Sequence, residues 1–251
     1  MSAAALHIDE PVDISLRRSE SLTSIELDEI WSVTDRYVET ERALYERKLR
    51  EMPEVGLWRT RSGVLVGLVS LDVYRVDWSG RRSVIFFTSS VVIDDRFRGR
   101  NLVLRTGLRA YWREKVRRPW EDAYWFFDTF SYKSYLILPR NLGVFWPRRD
   151  SATPPAIAKF IHHLARERYG AAWSAATGVV RRSGHKRLRP ATAPIDPSHL
   201  ADPDVAFFEA VNPGHREGDM LVCLVPLSMR QLAGAVLRAM FKRRARTRSP
   251  H

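Results

Sequence analysis

What this chain of 251 residues lacks narrows it first. Cys223 is its one cysteine, so neither a disulfide framework nor a thiolate zinc site can be built within one copy. No window approaches the roughly 18 uncharged apolar residues of a membrane-spanning helix. Residues 1–11 show no basic leader followed by an apolar core, so no secretory signal is expected and the cytoplasm is the expected compartment. The seven histidines include the adjacent pair His162 and His163. Neighbouring helix positions point apart and no His-Glu-x-x-His spacing occurs, so no metal is expected. Neither a Gly-x-Ser-x-Gly elbow nor a Walker loop is present, and no internal repeat is visible. Acid is the scarce charge, 29 Asp and Glu against 41 Lys and Arg, for a net +12. That balance favours phosphates, anionic lipid, nucleic acid or an acidic carrier protein as partners, and is silent about fold.

What is present describes a globular protein, with 45% hydrophobic and 28% charged residues. Its centre is residues 88–101, which read as a strand running into a basic turn, Arg96-Phe-Arg-Gly-Arg100, and a helix entered at Asn101. Such a junction suits an anion. The first helical turn carries amide N–H groups without intrahelical partners at the positive end of the dipole. Gly99 lets backbone approach a ligand, and Arg96, Arg98 and Arg100 can meet phosphate with two hydrogen bonds each. An ordinary solvated loop is the plain alternative.

Around this centre the chain divides as follows. Residues 1–22 read as a loose leader. Two helices follow, the first capped by Ser24 and the second over residues 37–52, ended by Pro53. Strands are expected at 55–60, 64–74 and 83–93, with turns at 61–63 and 77–80. On the helix over 101–117, Leu104, Leu108, Tyr111 and Trp112 should face the sheet. Arg105, Arg109, Arg113 and Arg117 form a ridge on another face, either solvated or a track for an acidic partner. A strand at 124–130, parallel to the one before the turn, and a helical segment at 132–141 come next. Residues 147–203 hold a helix over 154–169 and a basic patch over 181–189. Strands are expected at 204–211 and 219–225. From Ser228 a helix carries an apolar face and ends in the cationic residues 242–248, suited to docking on the core or touching anionic lipid.

This order resembles the central part of the GNAT acyltransferase superfamily, in which a strand ends in an Arg/Gln-x-x-Gly-x-Gly/Ala turn. The matching positions are Arg98-Gly99-Arg100-Asn101-Leu102-Val103, with Asn101 and Val103 standing where the family has glycine. The resemblance implies a mixed α/β fold, a mostly antiparallel sheet with one parallel, splayed strand pair and flanking helices. It implies one domain over residues 23–225, with an insertion at about 147–203 and a basic C-terminal helix and tail over 226–251. It also implies acyl-CoA as co-substrate, its adenosine 3′-phosphate a further candidate for the ridge of Arg105, Arg109, Arg113 and Arg117, or the phosphopantetheine of an acyl carrier protein. The donor would be held by Arg96, Arg98, Gly99, Arg100, Asn101 and Leu102, with Val91 and Ile93 on the preceding strand.

Transfer to an amine needs positioned reactants, an acceptor for the ammonium proton and donors for the developing oxyanion. Backbone amides at a strand break near 89–92 are the expected donors, and Asp128 and Glu209 the expected bases. Asp94 and Asp95 should cap the turn or pair with its arginines. Tyr132 and Tyr135 are expected to pack rather than to supply a general acid. The expected activity is transfer of an acyl group from acyl-CoA or an acyl carrier protein to an amine. The competing reading is a non-catalytic module whose basic surfaces hold anionic membrane, touched through the C-terminal helix, or, less favoured for want of a recognisable motif, nucleic acid.

Overall fold

The computed structural model describes residues 10–182, 186–192, 194–231 and 233–234. Its contacts fall into two compact units, Met1–Tyr74 with Phe86–Trp120, and Arg75–Ile85 with the chain from Glu121 onward.

The first unit begins with strand β1 (Val12–Arg18). This corrects the expectation of a loose leader over 1–22. Val12, Ile14 and Leu16 alternate with polar residues at the strand period, and Val12 and Ile14 are buried. Helix α1 (Ser24–Thr34) opens with a capping box in which Thr23, not Ser24, accepts from the Glu26 amide. The single helix expected over 37–52 is instead a short strand, β2 (Val38–Thr40), and helix α2 (Arg42–Arg50). Strands β3 (Glu54–Thr60), β4 (Leu65–Trp78) and β5 (Arg81–Ile93) follow. β1 lies antiparallel to β3 from Val12 opposite Thr60 to Arg18 opposite Glu54, and β3 is antiparallel to β4. The hydrogen-bonded order here is β1, β3, β4, β5, with β1 at the edge.

Helix α3 (Leu102–Arg117) buries Leu102, Val103, Thr106, Ala110 and Tyr111. The Trp58 indole N–H donates to Thr106 Oγ1 at 2.8 Å, and the Thr106 hydroxyl donates to the Leu102 carbonyl. The buried stripe therefore passes through 102, 106 and 110. Trp112, expected against the sheet, is displaced to the surface and is 49% exposed.

In the second unit, strand β6 (Asp122–Thr129) runs parallel to β5. The sheet is otherwise mostly antiparallel, so the mixed α/β architecture is the expected one. Short helices α4 (Tyr132–Tyr135) and α5 (Ile137–Asn141) and the longer α6 (Pro155–Tyr169) follow. Strands β7 (Trp173–Ser174), β8 (Val179–Val180) and β9 (Lys186–Leu188) come next, then helix α7 (Pro203–Val211) and strand β10 (Met220–Pro226). β10 lies between β6 and β8, antiparallel to both. β7 and β8 thus extend the sheet from within the segment read as an insertion.

α6 covers one face of β6, where Tyr124 meets Phe160 and Phe126 meets Tyr169. On the other face Phe127, Tyr135, Phe145, Phe208, Leu221 and Cys223 share a core. The strand expected at 204–211 is a helix. Asp202 accepts from the Asp204 amide, Pro203 stands in the first turn, and Val205 and Phe208 are the buried pair three apart. Residues 229–231 and 233–234 are helical, but the rest of the expected C-terminal helix, with the basic run 242–248, lies outside the described residues. Among the described residues no helix is long and apolar enough to cross a membrane.

Candidate functional site

Two regular features of the first unit break at the positions the sequence singled out, inside β5 and at the start of α3. Ser90 takes φ of 48°, a left-handed conformation inside β5 that interrupts regular strand geometry beside Val91 and Ile93. The Ser70 hydroxyl donates to the Ser89 carbonyl at 2.8 Å and pins the residue before the break. After β5 a short 3-10 turn over Asp95–Phe97 leads to Gly99 at φ 81° and Asn101 at φ 56°. A Cβ on Gly99 would meet nothing within 4 Å, so the glycine serves the backbone angle and leaves open space above it.

Asn101 occupies one family-glycine position and adopts the left-handed region, which Asn tolerates better than other side chains. At the other, Val103 turns its side chain into the interior of the unit. Neither replacement forces a bulky side chain across the helix entrance. The Arg105 amide makes the first intrahelical bond, to Asn101 O at 2.9 Å, and Asn101 provides no side-chain cap. The start of α3 is thus left for an acceptor from elsewhere.

The arginines of the turn are engaged. Arg96 donates through its side chain to both oxygens of Asp94, at 2.9 and 2.8 Å, and Asp94 also accepts from the Arg96 amide and from Arg36. Arg98 pairs with Asp95 and lies over the Tyr37 ring. Arg100 donates to the Glu10 carbonyl at 2.6 Å and stacks on Phe97. Three guanidinium groups, Arg36, Arg96 and Arg98, share two carboxylates, while Arg100 meets a backbone carbonyl and a ring, so the turn keeps excess positive charge in a built arrangement.

Three of the four arginines of the basic ridge on α3 are turned onto their own chain, and Arg117 stays exposed. Arg105 donates to the Val12 carbonyl at 3.3 Å, Arg109 to the Ile14 carbonyl, and Arg113 to both oxygens of Glu54 at 2.8 Å. The spacing was legible, but the partner was a strand read as leader.

In the second unit Asp128 projects from β6 toward α6, with its side chain 2% exposed. Its Oδ2 accepts from the Tyr169 hydroxyl at 3.1 Å and from Arg182 at 3.4 Å. The guanidinium of Arg182 lies over the Tyr169 ring, and its buried Nε has no hydrogen-bond partner among the described residues. Lys186, on β9, places its ammonium 5.9 Å from the Phe130 ring centroid. Burial pulls that ammonium down to about 8, with Asp128 working against the shift and Arg182 with it. Burial also raises the Tyr169 hydroxyl well above its ordinary range, helped by Asp128. The sequence singled out Asp128 but missed Tyr169 and Lys186, which lie more than forty residues away and carry no local signal.

The backbone of Lys186 passes close to Gly218, where only glycine leaves room for it. A Cβ on Gly218, itself at φ 98°, would stand 2.1 Å from the Lys186 carbonyl oxygen.

Glu209 is not with Asp128 by any contact. It lies on α7, where His215 Nε2 meets its Oε2 at 2.6 Å and Arg216 approaches at 3.7 Å. Tyr135 is buried with its hydroxyl donating to the Pro147 carbonyl, and Tyr132 is buried beside His199, so both pack. Burial pushes the Cys223 thiol far up, keeping it protonated. Among the described residues no group of three His, Cys, Asp or Glu could hold a metal ion.

No family model and no curated protein matches the sequence. Solved structures overlay parts of it at low identity. A ribosomal-protein-alanine N-acetyltransferase from Brucella melitensis is 14% identical over 57% of this chain and 99% of that one, with a TM-score of 0.40. A GNAT-family N-acetyltransferase from Escherichia coli, in complex with CoA, is 19% identical over 59% of this chain and 82% of that one, at 0.32. A conserved protein of unknown function from Enterococcus faecalis is 14% identical over 62% of this chain, at 0.37, and this chain spans only 44% of its length.

Proposed function

We propose that this chain is a divergent acyltransferase of GNAT type, moving an acyl group from acyl-CoA or a phosphopantetheine-bearing carrier protein to an amine in the cytoplasm. The observation that carries the reading is the junction of β5 with α3. Its strand break at Ser90, open Gly99, left-handed Asn101 and uncapped helix start lie on one stretch of chain, followed by a strand parallel to β5. The first amides of α3 and the excess charge of the turn suit a pyrophosphate or phosphopantetheine phosphate. The amides near Val91 and Ile93 suit the thioester carbonyl and its developing oxyanion.

The donor supplies an activated acyl carbon. The amine nitrogen bonds to that carbon as the C–S bond breaks, the thiolate leaves, and the ammonium proton must go to a base. Asp128 is the better of the two expected carboxylates for this role. It is shielded from water and sits with Tyr169 and a lysine that titrates near neutrality, whereas Glu209 is tied to His215 and Arg216.

Calorimetry with CoA and with a long-chain acyl-CoA tests the reading. Wild type should bind saturably, Gly99→Asn should bind comparably because Asn accepts the left-handed angle, and Gly99→Glu should bind at least about tenfold more weakly. Transfer of a labelled acyl group to a panel of amines, from CoA and from carrier protein, then identifies the donor. No binding to wild type and no turnover with either donor overturns the proposal.

A further inference from the structure

The end of α3 has a surface that the proposed reaction does not use. Trp112 and Val116 stand four apart on one side of the helix, and Trp120 follows four residues later, just beyond the helix end. They are 49%, 80% and 76% exposed, and every residue from Val116 to Trp120 is at the surface. Three large apolar side chains within nine residues, two of them tryptophan, are uncovered on a projecting helix end. The tip is held in shape. The Lys115 ammonium donates to the Pro119 carbonyl at 3.1 Å, and the Trp112 ring meets Tyr111 edge-on at 5.6 Å.

Within residues 112–120 the exposed charge is of one sign, and Asp122 just beyond is paired with Arg81. Arg117 and Arg118 are exposed beside them. The one acid of the stretch, Glu114, has a side chain only 12% exposed and meets Arg113. We propose that this tip, formed by Trp112, Val116, Arg117, Arg118 and Trp120, docks the protein on an anionic bilayer surface.

The physical fit is specific to an interface between water and hydrocarbon. Indole rings place an apolar body among acyl chains while the N–H stays at headgroup depth, and valine adds a purely apolar contact. Guanidinium groups meet lipid phosphates with paired hydrogen bonds and are drawn to a negative leaflet. A projecting tip needs a shaped pocket on a protein partner, whereas a fluid bilayer conforms to it. In sequence the tip is separate from the basic run 242–248 and from the donor turn at 96–101.

Flotation of the full-length protein with vesicles tests the proposal, using phosphatidylcholine alone and phosphatidylcholine with phosphatidylglycerol. Quenching of tryptophan fluorescence by lipids brominated near the headgroup end of the chain reports insertion. The protein should float with the anionic vesicles only and be quenched there. The double variant Val116→Asp, Trp120→Ala should lose at least about tenfold in partitioning and most of the quenching. Arg117→Glu with Arg118→Glu should lose the preference for anionic lipid. All these side chains are exposed, and an unchanged melting temperature together with unchanged acyl-CoA calorimetry would confirm that folding and the donor turn are intact. No flotation at low salt overturns the proposal. So does flotation that the Val116 and Trp120 changes leave intact without quenching, which would assign binding to the C-terminal cations.

Discussion

Asp94 accepts from the Arg96 side chain through both oxygens, and from the Arg96 amide and Arg36, which together hold its carboxyl down at about 2 against burial. Its side chain is 3% exposed, so solvent screens the group little. A depressed carboxylate stabilises the fold above its unfolded value near 4, and that contribution is lost as pH falls toward about 2. The size is about 2 kcal/mol. Asp94→Asn should lose about that much at pH 7, and its stability should fall less than wild type's between pH 4 and 2. Urea unfolding across this range reads both.

Lys186 works in the opposite sense. Its folded value of about 8 lies below the usual lysine range, so the unfolded chain binds the proton more tightly. The buried charge therefore costs stability below about pH 8, and the cost is relieved as pH rises toward the unfolded value. Lys186→Met should be more stable than wild type at pH 7, with the difference shrinking by pH 10. Equal slopes of stability against pH in the two proteins would contradict this account. Asp128 (β6) and Arg182 are the charged groups that act on Lys186, and Tyr169 (α6), which donates to Asp128, stays protonated because burial raises its hydroxyl.

At the scale of elements, α3 carries the architecture of the first unit. Its inner stripe meets β3 through Trp58 and Thr106, and its arginines hold the carbonyls of edge strand β1. An edge strand offers unpaired backbone groups, and occupying some of them with side chains limits pairing with another chain. Arg109→Ala should lower hydrogen-exchange protection across Val12–Arg18 by about tenfold, the equivalent of one charged hydrogen bond, while leaving β4 and β5 protected. Arg109→Lys should recover part of it. Uniform loss across the whole unit would show that the clamp is not local.

The strands before the turn and the helix after it were legible because β-branched runs and four-residue spacing are local signals. Helix α7 was not. A short run such as Val-Ala-Phe-Phe-Glu-Ala-Val suits either a strand or a helix, and only the Asp202-Pro203 start resolves it. Trp112 failed for a subtler reason. The helix was read correctly, but its buried stripe was phased by the large side chains, when Thr106 and Ala110 supply the close contacts.

For the whole molecule, a net charge of +12 reads as appetite for polyanions. Many of these cations are already occupied, among them Arg96, Arg98, Arg105, Arg109 and Arg113. Binding to nucleic acid should then be a diffuse, counterion-driven effect that collapses between low and physiological salt. Binding of acyl-CoA at the donor turn should persist there, because it combines charge with oriented amides. Filter binding and calorimetry across the same salt series compare the two, and equal loss of both would place the donor in the diffuse class as well.

Sequence alone determined the order of the central elements, the placing of Gly99 in a basic turn before a helix, and the exclusion of intrachain disulfide and thiolate-zinc chemistry. These follow from residue type, local periodicity and composition. Tertiary structure decided which arginines are tied to their own chain, that Trp112 faces outward, and that Asp128, Tyr169, Arg182 and Lys186 gather from separate segments. Such pairings depend on where distant elements pack, and the local periods that specify a strand or a helix carry no record of the partner it will meet.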